Sequence, residues 1–213
     1  MLKLIEGSSA SKFPVEMDAM FRNRAQIFSE RLGWNVSVKH GRERDEFDDT
    51  NPLYLISVDP KTRRYRGSLR LLPTTGPNML RDVFPFMLDA GEVVESATIW
   101  EGSRICALPA EGQLERTRNG LSPVLGELVV GVVEVGLMAG LTQIVSVFDA
   151  PIYRMLKAAG CNPQLIGRPR RIGDTISYVG LFDTGNSPLR AIRDAVGIEG
   201  SVLAPEVRQL EAA

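Results

Sequence analysis

Three places in the 213-residue sequence put charge where regular structure gives it no obvious home. Arg24 follows Phe21 by three and precedes Phe28 by four, inside an apolar series (Met17, Met20, Phe21, Phe28, Leu32) at helical spacing between Val15 and Leu32. A cation on that stripe either meets a buried carboxylate or ligand, or snorkels along its edge. The segment Lys39 to Asp49, KHGRERDEFDD, has neither helical nor strand period and reads as a loop or ordered lid. Its acids are solvated surface unless particular members turn inward. Glu101 and Arg104 lie in one strand-like run with opposite parity, so a flat strand leaves one of them outside. A bulge permitted by Gly102 would instead send both into one cleft, and the chemistry on offer there is the pairing of cations with carboxylates or an anionic ligand.

The elements that must carry these residues can be read from pattern and punctuation. Gly33 supplies a stop for the first helix. Leu53 to Val58 and Tyr65 to Leu72, separated by Asp-Pro-Lys-Thr-Arg, predict an antiparallel hairpin, with Arg66, Ser68 and Arg70 on one face and Gly67, Leu69 and Leu71 on the other. Pro73 to Pro77 is a turn-rich loop, and strand character resumes from Ser96 to Ala107. Ser122 and Pro123 form an N-cap and first helical position, Gly140 closes that apolar helix, and Glu127, Gly131 and Glu134 make a narrow polar stripe along it. Gln143 to Phe148 is a strand, Pro151 to Ala159 a helix ended by Gly160, Ile176 to Phe182 a strand, and the chain beyond Ser187 a final helix with a loose end. This order predicts an α/β sandwich with a mixed sheet, and the length suits one domain, 1–213.

Composition narrows the function. Acidic and basic residues nearly cancel, giving a formal net charge of -1, so no global field draws the chain to nucleic acid or an anionic membrane. The basic clusters Arg63, Arg64, Arg66 and Arg168, Arg170, Arg171 lack the stacking aromatics of a nucleic-acid surface. His40 is the only histidine and is read as surface, which removes a histidine-based metal cluster; no metal is expected. Cys106 and Cys161 lack ligand or redox spacing and are read as core thiols. The N-terminal segment MLKLIEGSSASKF has no signal-peptide pattern, so cytoplasmic residence is expected. The most apolar stretch, Val124 to Ala139, contains two glutamates and falls short of the ~20 residues that span a bilayer, so no stable membrane association is expected.

The charged positions together resemble the LuxI-type acyl-homoserine-lactone synthases. The matching residues are Arg24, Phe28 and Trp34 (R-x-x-x-F-x-x-R-L-G-W), Asp45 and Asp48 (G-R-E-R-D-E-F-D), Arg70 in R-L-L-P-T-T-G-P, Phe84 in D-V-F-P, and Glu101 with Arg104 in W-E-G-S-R. The ordered set covers the first half of the chain and is more specific than a lone glycine-rich loop; the second half is similar in layout and only loosely in residues. The resemblance implies a three-layer αβα sandwich with a mixed, mostly antiparallel sheet, similar to the GCN5-related acetyltransferases, with two parallel strands splayed into a V-shaped cleft. Two departures stand out: the acetyltransferase pyrophosphate loop is replaced by T-R-N-G-L-S-P before the Ser122 helix, and Ile105 stands where family members often carry phenylalanine.

By that resemblance the chain moves an acyl group from acyl-CoA or an acyl carrier protein to the amine of S-adenosylmethionine, then lactonises the product with loss of 5'-methylthioadenosine. S-adenosylmethionine is a substrate, and no cofactor is implied. The resemblance pairs Arg24 with Glu101, Asp45 with Arg70, and Asp48 with Arg104. Glu101 is the implied base, or else only orients Arg24, and backbone N–H groups near Ser103 and Arg104 would meet the oxyanion. Phe28, Trp34, Phe84 and Arg104 would hold the sulfonium and carboxylate of S-adenosylmethionine. Met79, Trp100, Ile105, Ser146, Phe148, Ile152 and Met155 would line the acyl tunnel, and Ser146 either senses a substituent on the third acyl carbon or bonds a nearby backbone group. The basic clusters, with Arg154 and Lys157, could dock a carrier protein or hold coenzyme A phosphates. Two other functions fit the pattern: an N-acyltransferase acting on another amine, and a non-catalytic thioester-binding module.

Overall fold

A computed structural model describes residues 1–108 and 121–208. Its strands are β1 (Leu2–Glu6), β2 (Val38–Lys39), β3 (Arg42–Glu43), β4 (Leu53–Val58), β5 (Tyr65–Pro73), β6 (Ile99–Ala107), β7 (Gln143–Asp149), β8 (Gln164–Ile172) and β9 (Thr175–Asp183). Its helices are α1 (Pro14–Arg24), α2 (Met79–Asp82), α3 (Pro123–Met138), α4 (Ala150–Ala158), α5 (Asn186–Val196) and α6 (Pro205–Arg208). Seven strands form one sheet in the order β1-β4-β5-β6-β7-β9-β8, with β2 and β3 as a separate small hairpin. Every neighbouring pair in the large sheet is antiparallel except β6 and β7.

Strand alternation sorts the core into layers. Leu55, Leu69, Leu71, Ile144 and Phe148 pack with α3, α4 and α5 in the larger core. Tyr54 and Ile56 face the other way, against Met17, Met20 and Phe21 of α1, while Val145 and Val179 meet Leu80, Met87 and Leu88 on that same second side. Helices therefore cover both faces, which is the three-layer mixed sandwich expected.

The single parallel pair makes the cleft. β6 and β7 are in register only at Ile99 with Gln143, Trp100 with Ile144 and Glu101 with Val145, and part beyond that point. β6 then bulges against β5: Ser103 faces Arg70 but Cys106 faces Ser68, so Arg104 and Ile105 share the space opposite one residue. Arg104 takes the left-handed φ of 54°. The bulge thus falls at Arg104, two residues beyond Gly102, and still brings Glu101 and Arg104 to one side.

Other expectations need correction. Helix α1 does not continue to Leu32 as an α-helix; Ala25–Arg31 is π-helical, with the Leu32 N–H donating to the Ile27 carbonyl at 3.0 Å. A second bulge, at Ser57/Val58, displaces Arg66 from the face of Ser68 and Arg70, and its guanidinium lies 3.8 Å from Glu127 of α3. The polar stripe of α3 is present as expected, and its buried acids are partnered: Glu127 accepts from Ser57 Oγ at 2.5 Å, and Glu134 from Arg193 at 2.5 Å and Ser201 at 2.8 Å. After α5, residues 202–204 are tied to β1, since the Leu2 N–H donates to the Val202 carbonyl (2.7 Å) and the Ala204 N–H to the Leu2 carbonyl (2.8 Å), while the end of the chain expected to be loose lies outside the described residues from 209 on. Most of the T-R-N-G-L-S-P segment lies outside the described residues.

Candidate active site

Six charged side chains form a closed alternating ring on the α1 side of β5 and β6. Arg24, the last residue of α1, donates from Nε to Glu43 (2.5 Å) and in fork geometry to both oxygens of Asp48 (2.8 and 3.0 Å). Arg70 of β5 forks onto Asp45 (2.5 and 3.0 Å) and reaches Asp48 at 3.0 Å. Arg104 closes the ring with Glu43 at 3.0 Å and Asp45 at 2.9 Å. Each arginine meets two acids within 3.0 Å, Arg24 also lies 3.8 Å from Asp45, and three cations meet three anions. Each arginine also lies over an aromatic ring: Arg24 over Phe21, Arg70 over Phe47 and Arg104 over Phe28, at 5.3, 5.6 and 5.1 Å.

Local structure explains why some acids of the charged segment turn in. Asp45 and Asp48 make a capping box around the short 3-10 turn Glu46–Asp49, and Phe47 anchors that turn by packing on Leu72 and Met79. Glu43 and Asp48 are buried, whereas Lys39, His40, Arg44, Glu46 and Asp49 remain exposed. Of the pairings implied by resemblance, Asp45 with Arg70 is present. Arg24 does not meet Glu101, and Asp48 does not meet Arg104. Glu43 takes up both arginines instead, because the β2–β3 hairpin delivers it between them. Glu43 and Tyr54, whose hydroxyl donates to Asp48 at 2.8 Å, are members that sequence reasoning missed. The available signal was the strand spacing of Glu43 and Asp45, which puts both on one side.

Glu101 stands apart from this ring. It is 1% exposed, and its two oxygens accept the backbone N–H groups of Met79 (2.9 Å) and Leu80 (2.6 Å) at the start of α2. Burial raises its pKa above the ordinary glutamate value, and the two N–H bonds, then Arg70 and Arg104, offset this only in part. Asp48 shows the opposite balance. Burial alone would raise it, but the Arg24 charge and hydrogen bonds, with Arg70, hold it well below the usual carboxylate range. Arg24 is likewise penalised by burial, yet Asp48 and Glu43 raise its pKa and keep it charged. Burial pushes the Cys106 and Cys161 thiols up to about 12, in keeping with core residues.

A cavity of about 650 Å³ opens where β6 and β7 part. Glu101, Arg104, Phe28, Trp34 and Phe84 line it, as do Met79, Ile105, Ser146, Phe148, Ile152 and Met155. Trp100 does not; it lies where the two strands are still paired and packs into the larger core. Arg24, Asp45, Asp48 and Arg70 do not line the cavity either, so the ring touches it through Arg104 alone. Phe28 stacks on Trp34 with centroids 5.2 Å apart, and Arg104 covers Phe28 while donating to Met79 Sδ at 3.2 Å. Ser146 Oγ donates to the Gly102 carbonyl at 2.7 Å. The arrangement offers a buried carboxylate of raised proton affinity, two arginines (Arg31 and Arg104) and a group of aromatic faces around a largely apolar channel.

Comparison with known proteins bears on this geometry. The family model described as autoinducer synthase matches residues 10–192. An acyl-homoserine-lactone synthase of Rhizobium etli is 38% identical over 178 residues, covering 83% of this chain and 81% of the relative. One of Agrobacterium fabrum is 36% identical over 163 residues, covering 76% and 75%. Among solved structures, the acyl-homoserine-lactone synthase LasI superposes with TM-score 0.78 at 27% identity, covering 94% of this chain and 98% of that one. The CoA-dependent synthase BjaI, solved with SAM and isopentyl-CoA, gives TM-score 0.83 at 24% identity, covering 96% and 92%.

Proposed function

The chain belongs to the autoinducer synthase family and is an acyl-homoserine-lactone synthase, and we propose that Glu101 is its base, Arg104 its substrate anchor and the buried ring their scaffold. The observation that carries this is the meeting of Glu101, Arg104, Phe28, Trp34 and Phe84 around one cavity at the parting of β6 and β7.

The amine of S-adenosylmethionine is an α-amino group with an ordinary pKa of about 8, so it arrives mostly protonated. Glu101 takes a proton from it directly or through one water, which a raised proton affinity favours. The freed nitrogen attacks the thioester carbonyl, a C–N bond forms, the C–S bond breaks, and the thiol leaves with a proton. The oxyanion is assigned to backbone N–H groups of the bulged stretch Ser103 to Ile105, which lines the cavity. In the second step the substrate carboxylate attacks its own γ-carbon, the bond to the sulfonium breaks, and neutral 5'-methylthioadenosine departs. Arg104 holds the carboxylate while Phe28, Trp34 and Phe84 present ring faces to the sulfonium, so the site contributes mainly orientation to this step.

Arg24, Asp45, Asp48 and Arg70 are positioning residues in this scheme, because none of them reaches the cavity. The acyl chain lies against Ile105, Ser146, Phe148, Ile152 and Met155. Acyl-CoA and an acyl carrier protein present the same phosphopantetheine arm, and the exposed Arg154, Lys157, Arg170 and Arg171 are cations available to either carrier. Comparing one acyl group on both carriers decides between them: turnover of the CoA form alone removes the carrier protein. Among the described residues no helix is long and apolar enough to cross a membrane.

Mass spectrometry of extracts from cells expressing the protein tests the whole proposal. An acyl-homoserine lactone with matching release of methylthioadenosine supports it. Thiol release without methylthioadenosine identifies an N-acyltransferase for another amine instead.

A further inference from the structure

Glu101 is held by a turn whose own anchor lies outside the cavity. In the loop between β5 and α2, Thr74 Oγ1 lies 2.6 Å from the Ile99 carbonyl and accepts from the Ser96 N–H at 3.0 Å, which ties the loop to the start of β6. Asn78, 1% exposed, uses every polar atom it has. Its Nδ2 donates to the Gly76 carbonyl (2.9 Å) and the Thr74 carbonyl (3.3 Å), its Oδ1 accepts from the Arg81 N–H (3.0 Å), and its own N–H donates to Asp82 (3.0 Å). Asn78 is thus the N-cap of α2, and the two N–H groups that follow it are those that reach Glu101. The first N–H groups of a helical turn have no partner within it, so their direction is set by the cap.

We propose that Asn78 is a positioning residue for Glu101: by fixing the turn it aims the Met79 and Leu80 N–H groups, and they aim the carboxylate into the cavity. The proposal rests on the reading of Glu101 as the base. The charges facing Glu101 from neighbouring elements are Arg70 of β5 and Arg104 of β6, and both favour its ionised form. On α2, Arg81 and Asp82 pair with one another at 3.0 Å near the surface. After burial, the two N–H bonds outweigh either arginine. Releasing the turn therefore removes the largest support of the ionised carboxylate while leaving both arginines in place.

The test is the pH profile of kcat/KM for methylthioadenosine release in the wild type, Asn78→Ala, Asn78→Ser and Glu101→Gln, with thermal unfolding of each. The wild type should show an acidic limb above the ordinary glutamate value of about 4.3. Glu101→Gln should lack it and keep only the titration of the substrate amine at about 8. Asn78→Ala should move the limb up by about one pH unit, a roughly tenfold loss on the acidic side, with a much smaller change on the alkaline plateau. Asn78→Ser retains a capping oxygen and should fold and shift in the same direction by less. An unmoved limb, or a uniform loss at all pH, in whichever Asn78 variant folds overturns the role of Asn78 alone. A limb that persists at its wild-type position in Glu101→Gln overturns the base assignment and this inference with it.

Discussion

The ionic ring and the Glu101 pocket sit side by side, yet they treat their carboxylates in opposite ways. In the ring, Glu43 and Asp48 each contact two arginines and Asp45 all three, and Asp48 is pinned in its ionised form. In the pocket one carboxylate is buried without an arginine contact, held by two backbone N–H groups, and its proton affinity is raised. A group whose charge is fixed can hold geometry but cannot exchange a proton at neutral pH, whereas a group of raised proton affinity is better suited to take one. The comparison divides labour between neighbours that a sequence shows only as scattered charges.

Removing one ring member should have the largest effect. Arg24→Ala leaves Asp48 buried without its fork and Glu43 buried without its Nε bond, at a cost of about 3–5 kcal/mol in unfolding free energy by urea titration. Glu43→Gln should cost less, about 1–3 kcal/mol, and should lower activity as well because it loosens Arg104; full stability with full activity would contradict the ring. The aromatic wall sharpens the contrast from the cavity side. Phe28→Leu removes the stack on Trp34 and the face under Arg104, so KM for S-adenosylmethionine should rise by roughly 3- to 10-fold with stability nearly kept.

The smallest effect is a matter of sign. The folded-state pKa of Asp48 lies below its unfolded value of about 3.9, so its contribution to stability is present above that pH and is lost as pH falls through the folded value. Stability measured by denaturant should therefore decline below about pH 4. The decline should be shallower in Asp48→Asn.

Local signals made much of the framework legible. Pro123 and Gly140 bracketed α3, and the Leu53 to Leu72 hairpin followed from alternation and its turn. β1 is only five residues long and β8 carries Gly167, Pro169 and three arginines on an exposed edge, so neither showed the alternation of a half-buried strand. Arg24, Asp45, Asp48, Arg70 and Arg104 are marked as one set only by the family resemblance, and which acid meets which arginine depends on the capping box at Asp45 and on the β2–β3 hairpin, neither of which has a period to read. Glu101 was assigned an arginine it does not have because its partners are backbone atoms, which are the same at every position in a sequence.

Glu101→Gln, measured at once for turnover and for unfolding free energy, tests the division of labour most directly. The substitution keeps shape and removes the titrating oxygen, but the Gln amide can accept only one of the Met79 and Leu80 N–H groups, so methylthioadenosine release should fall by about 10²- to 10⁴-fold while unfolding free energy falls by about 1–3 kcal/mol, less than in Arg24→Ala. Turnover near the wild-type rate, or a loss of stability matching that of Arg24→Ala, would contradict the account.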